Sequence, residues 1–198
     1  MLIEQKFSLT ADDIVSNEVF EGQRAEKQAE LRTHKKDRRI DVGPFASFFF
    51  ESYFTMWWQI QEMLRVEGGG EAQLADELEA YASLVPNGRN LTATMMLQIA
   101  DPVRRARELA TLGGIEETVK LVIDGEEVAG EAEDDLDRTT ADGKASSVHF
   151  FLFELSDGQI KALKDGTAEV QLRITHPSYN HIAILTADQK KSLAGDLA

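Results

Sequence analysis

Cysteine is missing altogether from these 198 residues. Its absence excludes disulfides, thiolate ligation of zinc or of iron–sulfur clusters, and thiol nucleophiles within the chain. It also fits a reducing compartment, so a cytoplasmic location is expected. Long apolar runs are missing too. No stretch approaches the ~18 residues of a membrane helix, and the first residues, MLIEQKFSLTADD, lack the basic-then-apolar order of a secretory signal. Positive charge is scarce: 35 acids against 21 bases leave a net charge of −14. Phosphates would be repelled over most of such a surface, so neither nucleic acid nor membrane is expected as a partner. Catalytic signatures are absent as well. There is no HExxH, GxSxG or paired-aspartate metal loop, and Gly68-Gly69-Gly70 is not followed by the Lys-Ser/Thr of a phosphate loop.

What the chain does have is concentrated between Arg32 and Arg65. A basic island (Arg32, His34, Lys35, Lys36, Arg38, Arg39) runs into Phe45, Phe48, Phe49, Phe50, Tyr53, Phe54, Trp57 and Trp58. These are eight of the chain's 15 aromatics, and Gln59, Gln61, Glu62 and Arg65 follow. Cations beside apolar mass give two readings: a packed core with a solvated flank, or a pocket that recognises an anion. Neighbouring tryptophans on a helix point in different directions. One of them is therefore available for a homodimer interface or a ligand shelf.

Length sets the expectation of a single domain over 1–198. Thr10 and Asp13 form a helix-start pattern, predicting a helix over about 10–38 that extends from the body. Short strands flank Gly43-Pro44, and from Ser52 the apolar period changes to three and four, which predicts a helix. Further helices are expected at 72–84, from Pro102, at 156–164 and from Thr186. Strands are expected at 91–99, 118–123, 127–129, 147–155, 168–175 and 179–185. Without strict βαβ alternation this is an α+β chain: a mostly antiparallel or mixed sheet of about seven strands, with helices on one face or end.

Two functional readings follow. In the first the protein is a non-catalytic accessory protein, and Arg38, Arg39, Gln59, Gln61 and Arg65 bind an anionic ligand or a protein partner. In the second, Glu51, Glu62, His149 and His176 form a mixed carboxylate–imidazole site for a divalent metal such as iron, manganese or zinc. Glu51 and Glu62 are carboxylates in apolar surroundings, where burial raises a pKa and favours acid–base work or ligation. His149 lies inside an apolar strand and shares a face with Phe151 and Phe153. His176 and His181 have poor spacing for a chelating pair, and His34 reads as an exposed helix residue. The acidic tract Glu126–Asp142 lacks the order of a calcium loop. Whether the chain is an enzyme stays open.

Several ordered motifs resemble one bacterial family of unknown function: His34-Lys35-Lys36-x-Arg38-Arg39, Phe50-Glu51, Gln59-x-Gln61-Glu62-Met63-Leu64-Arg65, Pro86-x-Gly88-x-Asn90-Leu91-x-Ala93-Thr94, Val148-His149-Phe150 and His176-Pro177-x-Tyr179. Genes of that family often neighbour those for rubrerythrin and a heterodisulfide-reductase-like iron–sulfur oxidoreductase. The resemblance therefore implies a redox or oxidative-stress module with a redox protein partner, and it assigns no reaction.

Overall fold

The computed structural model describes residues 5–132 and 144–198, with Glu71 described by its backbone only. Its helices are α1 (Asn17–Lys36), α2 (Tyr53–Glu67), α3 (Gly70–Tyr81), α4 (Pro102–Leu109), α5 (Asp157–Asp165) and α6 (Ala187–Ala194). Its strands are β1 (Arg39–Val42), β2 (Ala46–Phe50), β3 (Asn90–Leu97), β4 (Val119–Ile123), β5 (Glu126–Ala129), β6 (Glu131–Ala132), β7 (Val148–Glu154), β8 (Val170–His176) and β9 (Tyr179–Ile184). The class is α+β as expected, with nine described strands in two antiparallel sheets ordered β1-β2-β3-β7-β6 and β5-β4-β8-β9. Residues 133–142 of the acidic tract lie outside the described residues.

Side-chain alternation builds the layers. Phe48, Phe50, Ala93, Met95, Phe151 and Phe153 are buried on one face of the first sheet and share a core with Leu121, Ile123, Leu172 and Ile174 of the second. Phe48 meets Phe151 at 6.0 Å and Phe50 meets Phe153 at 6.1 Å between ring centres. Tyr179 ties the two sheets at the β1–β2 turn: its hydroxyl donates to the Val42 carbonyl (2.6 Å) and accepts from the Ala46 amide (3.0 Å). Gly43 in that turn has φ +72°, and a Cβ there would lie 2.6 Å from the His181 ring. Only glycine meets both demands.

The opposite face of the five-stranded sheet carries the helical layer. Phe20, Leu31, Phe54, Trp57, Trp58, Ile60 and Leu64 form a second apolar cluster, with Phe150 of the sheet packed against it. Both tryptophans are in this core. Phe20 sits edge-on to each, at 5.8 and 5.3 Å. The two side chains leave α2 in different directions, and both are covered because Phe20 of α1 packs against each, so neither is the exposed tryptophan expected for a homodimer interface or a ligand shelf.

The helix expected over 10–38 is shorter. A single 3-10 turn (Ala11–Asp13) is followed by extended backbone at Ile14, and Ser16 caps α1. The cause lies in α2. Gln61 accepts from the Val15 amide (2.8 Å) and donates to the Val15 carbonyl (3.2 Å), while the Trp57 indole donates to the Asp13 carbonyl (2.9 Å). Backbone groups spent on side chains cannot continue a helix.

Candidate functional site

Glu51 follows β2 immediately, and Ser52 caps α2 by accepting from the Thr55 amide at 3.2 Å. This strand-to-helix corner is fixed by Arg38, only 2% exposed. Its guanidinium donates to the Phe50 carbonyl (3.0 Å), the Glu51 carbonyl (2.6 Å) and the Ser192 carbonyl (3.2 Å), and it pairs with buried Asp196. Burial pushes the Asp196 carboxyl up to about 6, against the pull of Arg38.

Beyond the corner, a cavity of about 360 Å³ separates the helical layer from the sheet. Thr55, Met56 and Gln59 of α2 form one wall, and Tyr81 and Leu84 another. Phe49, Thr94, Met96, Val148 and Phe150 form the floor, and Lys35 stands at the exposed rim. The volume falls within the usual range for a small-molecule pocket, as does the mix of apolar walls and few polar groups. Glu51 is 8% exposed and accepts a hydrogen bond from the Thr94 hydroxyl (2.7 Å). Among the described residues no cation forms an ion pair with it.

The sequence-derived candidates divide by position. Glu51 and Gln59 line this cavity. Gln61 is fully buried on the α1 side of α2, occupied by Val15. Arg39 lies over the Phe49 ring (5.6 Å) and donates to Asp41 (3.0 Å) and Ser47 (3.2 Å). Arg65 donates to Glu62 (3.2 Å) and Glu21 (3.4 Å). Arg24 grips Glu62 with two bonds, at 2.6 and 3.1 Å, which holds its carboxyl below the usual range with help from Arg65.

His149 is wholly buried on the other face of the sheet from Glu51, with Nε2 3.0 Å from the Ser146 carbonyl. His176 ends β8, with Nε2 3.2 Å from the Gly113 carbonyl and Nδ1 accepting from the Ser178 amide. Strand alternation thus puts a sheet between Glu51 and His149. Among the described residues no group of three or more His, Cys, Asp or Glu side chains is placed to hold a metal ion.

His34 differs from its expected exposed setting. It is half-buried against Phe54, with Nε2 2.8 Å from the Ser52 hydroxyl. Burial first, then the nearby Arg38 and Lys35 charges, lower its pKa to about 4. Thr55, Tyr81, Thr94, Val148 and Phe150 were not foreseen as site residues. They come from four elements, α2, α3, β3 and β7, and the sequence signals for them were the family-like motifs that hold Thr94, Val148 and Phe150 and the alternating Thr92 and Thr94 of β3.

The fold and the cavity define an α+β protein, two antiparallel sheets and a helical layer with a half-open pocket beside a buried acid. The chain belongs to the family described as protein of unknown function (DUF3501), whose model matches residues 8–197. A crystal structure of a protein of unknown function from Burkholderia pseudomallei K96243 is similar, with 38% identity and a TM-score of 0.88 over 96% of this chain and 100% of that one. A comparison with curated proteins finds no match. Among the described residues no helix is long and apolar enough to cross a membrane.

Proposed function

We propose that this protein is a binding protein whose ligand is a small organic molecule seated in the cavity between α2, α3 and the five-stranded sheet. The observation that supports this reading most is Glu51, a buried carboxylate that faces open volume and has, among the described residues, one hydrogen-bond partner, the Thr94 hydroxyl. A buried carboxyl group needs hydrogen-bond partners, and a ligand that donates hydrogen bonds would supply them. Gln59 and Thr55 would orient the ligand, and the apolar floor would hold its body.

An anionic ligand or redox partner at Arg38, Arg39 and Arg65 is less well supported, because each guanidinium already meets a carboxylate. The metal alternative at Glu51, Glu62, His149 and His176 lacks a converging donor set among the described residues. The cavity carries the proposal for those reasons.

Saturation-transfer NMR with benzylamine, benzyl alcohol and benzoate checks it. Transfer to benzylamine or benzyl alcohol is expected, and its loss in Val148→Trp, which fills the half-exposed rim of the cavity. No transfer from any of the three, or equal transfer in a folded Val148→Trp, would contradict a ligand here.

A further inference from the structure

We propose that the ligand is a linear aliphatic di- or polyamine, with one ammonium group at Glu51 and another at Glu131. This rests on the reading of Glu51 as a ligand anchor and extends it across the sheet.

A second cavity of about 200 Å³ adjoins the first, and the two share Leu84 and Phe150 in their walls. Glu131 lines the second cavity and not the first. The strand register aligns the two acids. The Glu51 amide donates to the Thr92 carbonyl (2.9 Å), Thr92 is paired with Leu152, and Leu152 with Glu131. Glu51, Thr92, Leu152 and Glu131 therefore form one row across β2, β3, β7 and β6, and their side chains share a face. Three strand spacings put the ends of the row about 14 Å apart.

Between the ends the row is apolar. Leu152 is hydrocarbon, and the Thr92 hydroxyl is turned to the Leu84 carbonyl (2.6 Å), leaving its methyl group for the cavity. An acid, a hydrocarbon floor and a second acid match ammonium, methylenes and ammonium. The net charge of −14 draws polycations toward the surface. A long carboxylic acid would meet an acid at either end, and Lys35 is exposed at the rim of one end only.

Calorimetric titrations of the full chain at low salt test the assignment, with spermidine, 1,8-diaminooctane, 1,3-diaminopropane, n-octylamine and octanoate as probes. Expected are one-to-one binding of spermidine and 1,8-diaminooctane, weaker binding of octylamine and diaminopropane by about three- to fivefold, and no binding of octanoate. Glu51→Gln should weaken diaminooctane about thirtyfold or more, and Glu131→Gln about threefold. Asp157→Asn, an exposed acid elsewhere, should change nothing, which separates a site from general attraction to an acidic protein. If Glu51→Gln fails to fold, Glu131→Gln carries the test, since Glu131 is exposed. Octanoate binding, many equivalent sites, or equal affinities for octylamine and diaminooctane in wild type and Glu131→Gln would each overturn the diamine assignment. In the last case octylamine binding lost with Glu51→Gln would leave the cavity reading standing. Failure of the benzyl probes would remove that reading as well.

Discussion

Arg38 holds the corner that carries Glu51. It does so through three backbone carbonyls and Asp196, in a setting almost closed to water. Removing one partner of such a pair leaves an uncompensated buried charge. Arg38→Met should cost about 3–5 kcal/mol in denaturant unfolding, whereas Arg38→Met/Asp196→Leu should recover much of it. A double variant as unstable as the single one would assign the loss to the carbonyl bonds instead. His34 makes the second prediction at this scale. Its folded pKa of about 4 lies below the ordinary 6.5, so the unfolded chain takes up the proton first as pH falls. Its share of stability is intact above about 6.5 and is lost on acidification toward 4. Asp196, raised to about 6, acts in the opposite sense, so the comparison must be with His34→Gln. The variant should lose less stability than the wild type between pH 7 and 5, and equal losses would contradict the buried neutral histidine.

Gln61 and Trp57 bind the segment before α1 to α2. Gln61→Leu leaves the Val15 amide and carbonyl without these partners, at a cost of about 1–3 kcal/mol. Hydrogen exchange should then quicken at Val15 and along the first turns of α1 while β3 stays protected. Exchange that rises equally everywhere would show that the clasp is not local. These contacts also explain what could be read from the sequence. Ser52, Asp101, Ser156 and Thr186 each cap the helix expected after them, because capping is settled within four residues. The extended backbone before α1 depends on Gln61, 46 residues from Val15, and the two-residue β6 on Leu152, about 20 residues from Glu131, and local pattern does not report such partners. Likewise, Glu51 stood out as an acid among aromatics, but its neighbour Thr94 is 43 positions distant. Alternation in the sequence already places His149 on the face of Phe151 and Phe153, and which face packs against the second sheet is settled only by the tertiary fold.

Across the whole molecule, one sheet serves two layers. Its inner face seals a core against the second sheet, and its outer face bears helices that leave a cavity of about 360 Å³ beside a buried acid. Methyl-resolved NMR during a benzylamine titration would test that division of labour most directly, because Met56, Met96, Thr55 and Thr94 line the cavity while Met95 faces the core. Saturable shifts are predicted at Met56, Met96, Thr55 and Thr94, with Met95 little changed and no response in Glu51→Gln. Shifts centred elsewhere on the surface, or the same shifts in Glu51→Gln, would contradict a ligand site anchored by Glu51.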